Sequence, residues 1–214
     1  KNLSKVMEWY KHPGTPLVKA AGNYDKNKNS YTLSLKQSNP KAPEAPPLVM
    51  PVIMGLIGKL GDEQELFLNG EALGKETTLL FEQSEQLFEF TNIEQEVVPS
   101  IFRQFSAPVK IDAGYNEDDL LHLMAHDSDE FNRYEATQEL YMISLLKMIA
   151  NNSSEVDGRL IKAFQTVLSA ADNEPAVAAL TLRLPSEFQI SQEMDVINVE
   201  AIGVARKTMK ETFA

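Results

Sequence analysis

Two histidines stand four residues apart in His122-Leu123-Met124-Ala125-His126. On a helix that spacing puts both imidazoles on one face, the arrangement by which H-E-x-x-H segments hold zinc. The motif's chemistry needs a glutamate after the first histidine to act as general base on zinc-bound water. Leu123 occupies that place. Catalytic zinc also takes three protein ligands, and a helical pair supplies two. Hydrolysis is therefore not expected of His122 and His126, and the plainer reading is a partly exposed helix that carries two histidines. Asp127, Asp129 and Glu130 imitate the opening of a calcium loop, but the glycine of its sharp turn and the closing bidentate glutamate are missing. Glu117, Asp118 and Asp119 fit the solvated first turn of a helix, where the dipole favours acids. Gly70-Glu71-Ala72-Leu73-Gly74 lacks the Gly-Lys-Ser/Thr ending of a phosphate cradle. With three histidines and no cysteine, spacing proposes no nucleophile triad. No catalytic, cofactor-binding or metal-binding residue is assigned.

The whole chain agrees with that restraint. It has 214 residues, 43% hydrophobic and 24% charged, which is globular composition with room for one large domain or two small ones. Its net charge is −11, the opposite of what displaces counterions from phosphates, so nucleic acid is not an expected partner. The absence of cysteine excludes disulfides, thiolate metal sites and cysteine nucleophiles, and fits a reducing compartment, so a cytoplasmic location is expected. The longest apolar stretch, Leu48–Ile57, is too short to span a bilayer and is interrupted by Pro51 and Gly55. The first residue is Lys1 and not Met, which points to a piece of a longer protein.

Charge divides the chain. Residues 1–110 carry 12 basic and 13 acidic side chains, whereas residues 111–214 carry 8 and 18. Hydropathy divides it at the same place. After a short helix through Leu3, Val6, Met7 and Tyr10, the first part has period-two strands: 16–20, 31–37, 49–57, 65–68, 77–81, 86–91 and 100–105. Turn residues separate them, and Asn69-Gly70 is a hairpin signal because both residues tolerate positive φ. Seven short strands in about 100 residues are the count of an immunoglobulin-like β-sandwich. Residues 39–47, with four prolines, read as a stiff strand connection and not as a PxxP ligand.

The second part is helical. Asn116 precedes one helix, Ser128 is placed to cap a second, and Ser154 with Asp157 resembles a capping box before a third. A shorter helix is expected from Pro175 to Leu184, and a last one after Asn198. Short loops between antiparallel helices are the grammar of a bundle or solenoid. The resulting expectation is multi-domain β plus α: a sandwich over 1–109 and an all-α antiparallel segment over 110–214. The last helix places Ile202, Ala205, Met209 and Phe213 on one side at the chain's end, and this apolar face is expected to be uncovered.

At the junction the sequence becomes specific. The run from Val98-Pro99-Ser100-Ile101-Phe102-Arg103-Gln104-Phe105-Ser106-Ala107-Pro108-Val109, followed by the run from Ala125-His126-Asp127 through Phe131-Asn132-Arg133-Tyr134 to Gln138, resembles the bacterial aminopeptidase N (alanyl aminopeptidase) branch of the gluzincin zinc metallopeptidases. Glu8-Trp9-Tyr10 with Gly14-Thr15-Pro16, and Phe88-Glu89-Phe90, are similar to further blocks of that family. Tyr134 stands where the family often has Trp. The resemblance implies the third, β-sandwich domain of a four-domain enzyme plus the start of its C-terminal helical domain. It implies that the zinc, the H-E-x-x-H motif and the G-A-M-E-N motif belong to a catalytic domain outside this sequence, so no site residue carries over. The implied role is a non-catalytic bridge from the catalytic domain to helices enclosing the active-site chamber. Its partners would be the other domains of the same parent, and the parent's substrates would be peptides. The implied junction buries Phe102, Phe105, Phe131 and Tyr134, with Arg103 or Arg133 near a carboxylate. The competing reading is a free-standing interaction module, a sandwich joined to a helical adaptor.

Overall fold

A computed structural model describes residues 5–169 and 175–214. The chain divides between Asn116 and Glu117 into two compact units. Leu3 and the segment 170–174 lie outside the described residues.

The first unit opens with a 3-10 helix, Val6–Tyr10. Among the described residues nine strands follow: β1 (Leu17–Asp25), β2 (Ser30–Ser38), β3 (Met50–Gly58), β4 (Phe67–Leu68), β5 (Glu71–Ala72), β6 (Thr77–Phe81), β7 (Glu85–Thr91), β8 (Val97–Ile101) and β9 (Lys110–Asp112). They form a six-stranded sheet in the order β5-β4-β7-β2-β1-β9 and a three-stranded sheet in the order β6-β3-β8. The period-two reading of β2 holds: Tyr31, Leu33 and Leu35 are buried, and they share the core with Val18, Phe88 and Phe90 of the same sheet. Met50, Val52, Met54, Leu56, Leu79 and Phe81 come from the other sheet. β3 is the central strand of that smaller sheet; its first half alternates, with Pro51 exposed and Ile53 half-buried, whereas residues 54–58 are all buried, so that end is covered on both faces.

Local chemistry fixes the connections. Asn69 (φ 53°) and Gly70 (φ 83°) make the two-residue turn joining β4 to β5. The proline-rich segment joins β2 to β3. The Gln37 side chain holds its far end by donating to the Leu48 carbonyl at 2.9 Å and accepting from the Leu48 N–H at 2.8 Å. Gln86 plays the same part at β6. It accepts from the Glu82 N–H and donates to the Leu80 carbonyl, both at 3.2 Å, so one amide side chain satisfies an edge that would otherwise invite another strand. β9 runs parallel to β1 and Tyr115 donates to the Pro99 carbonyl at 2.6 Å, which carries this unit past Val109.

The second unit is α-helical: α1 (Glu117–His126), α2 (Glu130–Asn151), α3 (Gly158–Ser169), α4 (Pro175–Thr181), α5 (Glu187–Gln192) and α6 (Val199–Thr212). The caps differ from expectation in detail. Asp129, one residue after Ser128, caps α2 by accepting from the Asn132 N–H at 2.9 Å; its extended backbone (φ −78°, ψ 117°) is the one from which the helix starts. At α3 Asp157 accepts from the Arg159 N–H, so the helix starts later than a Ser154 cap would place it. The expected helix to Leu184 ends at Thr181, and a separate α5 is nucleated by a capping box of Ser186 and Gln189. Asn198 caps α6 as its sequence predicts.

The apolar face of α6 corrects another expectation. Ile202, Ala205 and Met209 are buried, α6 packs on α2 and α5, and Phe213 stacks on Phe164 of α3 at 4.2 Å between ring centroids. The face is covered from within the chain, because α6 folds back onto α2 and α5.

Candidate functional site

α1 carries the histidine pair. The two rings lie 4.8 Å apart between centroids and are tilted 50° to one another. His126 is exposed and His122 half-buried. Partial burial, and then the charge of His122, hold the pKa of His126 below the ordinary imidazole value. Among the described residues no group of three His, Cys, Asp or Glu side chains converges to hold a metal.

The acidic residues singled out by spacing are structural. Glu117 pairs with Lys147 of α2, and Asp118 with Arg159 of α3, which ties the first turn of α1 to its neighbours. Asp127 is buried in the turn between α1 and α2, where its Oδ1 accepts from the Asp129 N–H at 3.0 Å. Gly70 and Gly74 belong to the β4–β5 hairpin region, where both take positive φ, 83° and 79°.

The densest polar cluster is at the corner after β8, and it centres on Arg103. The sequence reads 100–105 as strand, but the strand stops at Ile101 because the chain turns back on itself. Phe102, Gln104 and Phe105 all take left-handed φ values, 55°, 58° and 53°. Three such non-glycine residues within four positions are costly and persist only where surrounding contacts enforce them. Those contacts converge on the guanidinium, whose side chain is 1% exposed. Its Nε donates to Ser100 Oγ at 2.9 Å, and its Nη1 reaches Glu63 Oε1 at 3.0 Å and Glu76 Oε2 at 3.3 Å. Gln104 donates to the other oxygen of Glu76 at 3.2 Å, and Ser106 Oγ accepts from the Ile53 N–H at 3.2 Å.

Gly55 makes room for this arrangement. A Cβ there would lie 2.7 Å from the guanidinium carbon, so the arginine lies flat on β3 only because position 55 has no side chain. Gly55→Ala is accordingly expected to expel Arg103 and cost about 1–3 kcal/mol, as overpacking of a filled site does. A denaturant titration of the variant checks this, and an unchanged midpoint would mean that the guanidinium has somewhere else to go.

The cluster positions; it does not react. Arginine keeps its proton, and both carboxylates are committed to it. The expectation set Arg103 or Arg133 near a carboxylate; Arg103 meets Glu63 and Glu76, which come from separate loops that no spacing rule links to it. Of the four aromatics expected to be buried at the junction, Phe102 is buried, Phe131 and Tyr134 are half-buried, and Phe105 is 55% exposed.

Residues 14–114 match a family model described as a domain of unknown function, DUF3458, with an Ig-like fold. Residues 117–214 match a second, described as a domain of unknown function, DUF3458_C, with ARM repeats. Over its full length the chain is 30% identical to Aminopeptidase N of Escherichia coli (strain K12), covering 25% of that protein. It is 29% identical to Aminopeptidase N of Haemophilus influenzae, again over its full length and 25% of the relative. The crystal structure of Legionella pneumophila aminopeptidase A in complex with aspartic acid matches it with a TM-score of 0.81 and 25% identity, over 100% of this chain and 24% of that one. The chain spans about a quarter of the length of the relatives it matches.

Proposed function

We propose that this chain, a DUF3458 Ig-like domain followed by a DUF3458_C ARM-repeat segment and homologous to a non-catalytic portion of aminopeptidase N, is an architectural part of a zinc-dependent aminopeptidase. The observation that carries the reading is similarity over the entire chain to one contiguous quarter of such proteins, together with a two-unit fold that matches it in order. In this reading the sandwich bridges a catalytic domain to the helices, and the helices help enclose a chamber that admits short peptides and excludes folded proteins. Zinc and the groups that activate water belong to that catalytic domain, and the parent removes N-terminal residues from peptides in the cytoplasm. The acidic helical unit would favour positively charged peptides by focusing its field.

The test is direct. The purified chain, assayed on alanine and leucine anilides with and without added zinc, is expected to show no turnover. Zinc-dependent turnover that vanishes in His122→Ala would overturn the reading. One observation favours a second one: α6 is covered from within the chain, as it would be in a self-sufficient sandwich-plus-helix adaptor. An upstream H-E-x-x-H in the same reading frame supports the enzyme part; a start codon immediately before Lys1 supports the adaptor.

A further inference from the structure

The proposed function leaves the histidine pair of α1 unused. Both imidazoles project from one helix a single turn apart, with centroids 4.8 Å apart and ring planes at 50°. α1 is packed on α2 and α3, so the backbone that carries both rings is already ordered and need not be assembled around a ligand. His126 is exposed and His122 half-buried, so solvent reaches both residues. Imidazole nitrogen suits borderline-soft divalent ions, whereas magnesium and calcium take oxygen ligands.

We propose that His122 and His126 form a two-nitrogen chelate for a borderline-soft divalent cation such as Zn²⁺ or Cu²⁺, with water completing the coordination. The site binds and does not hydrolyse: Leu123 stands where a general base would be, and no third ligand converges among the described residues. The proposal stands whether or not the chain is part of a peptidase.

Two measurements on the full chain test it. Calorimetric titration at neutral pH with Zn²⁺ is expected to show one site per chain, and electron paramagnetic resonance with one equivalent of Cu²⁺ is expected to show two equatorial nitrogens. His122→Gln and His126→Gln, each checked for native helicity by circular dichroism, should each weaken Zn²⁺ binding by about 10–100-fold, at least the loss that removing an outer-shell partner causes. His12→Gln, which alters the remaining histidine in the first unit, should leave it unchanged. Binding that survives either substitution on α1, a Cu²⁺ spectrum with a single nitrogen, or Mg²⁺ binding as tight as Zn²⁺ would each overturn the chelate and leave only diffuse attraction to an acidic surface.

Discussion

Arg103→Ala is expected to destabilise the sandwich by about 3 kcal/mol, the lower end of the range for breaking a buried ion pair. The lower end applies because the stranded partners are not themselves fully buried: the Glu63 side chain is 24% exposed and that of Glu76 is 42%. Both can recover water once the cation is gone. What they cannot recover is the packing of the guanidinium on Gly55 or its bond to Ser100. For a unit of this size about 3 kcal/mol lowers the melting temperature by more than about 10 °C. The reverse deletion should be worse. Glu63→Gln with Glu76→Gln takes both of these carboxylates from a guanidinium that is 1% exposed, and that cost is not relieved by solvent. Glu76→Gln alone should cost under about 1 kcal/mol, since Glu76 is exposed and Glu63 remains. Thermal melts of the three variants check the ranking. A melt of Arg103→Ala that matches wild type would mean that the left-handed run at Phe102, Gln104 and Phe105 is held by something other than this cluster.

How much of this was legible beforehand depended on the range of the interaction. β2, β3, β6 and β7 were readable because burial on one or both faces writes a pattern into consecutive residues, as in Tyr31, Leu33 and Leu35. The hairpin at Asn69-Gly70 was readable because a turn with positive φ restricts two adjacent positions. β5 and β9 were not, since pairs of two and three residues carry no period of their own and exist only because β4 and β1 offer them a ladder. The caps of α2 and α3 shifted because Ser128, Asp129, Ser154 and Asp157 are all competent, and the choice between neighbours is made by where the helix axis must start to pack.

The candidate sites divide in the same way. The histidine pair is local, four residues on one helix, and its geometry is the one its spacing predicts. The Arg103 cluster joins positions 55, 63, 76, 100 and 103, brought together by a sheet and two loops, and a single sequence holds no signal for that union. The family resemblance at residues 98–109 marked the segment as specific without saying why. The structure supplies a reason, which is that three left-handed residues and one buried cation must occur together for the corner to close.

Met209→Glu is expected to have the largest effect in the helical unit. An apolar face left open at the chain's end would predict the opposite, a variant more soluble and less prone to self-associate. Met209 is 0% exposed, one turn beyond Ala205 on the inner side of α6 and one turn before Phe213, whose ring stacks on Phe164 at 4.2 Å. Substitution removes a buried thioether, worth about 2–5 kcal/mol. It also places a carboxyl group at a position that is 0% exposed on the apolar side of α6, which adds about 1–3 kcal/mol even if the acid stays protonated. The total approaches the whole stability of a domain this size, about 5–15 kcal/mol. The helical signal in the far ultraviolet should fall at room temperature and lose its cooperative melt. Val204→Glu, one face round at a position 58% exposed, is the control and should change stability by less than about 0.5 kcal/mol. If Met209→Glu folds as well as Val204→Glu, α6 does not lie on α2, its apolar side faces outward, and the self-sufficient helical unit that favours the adaptor reading is lost with it.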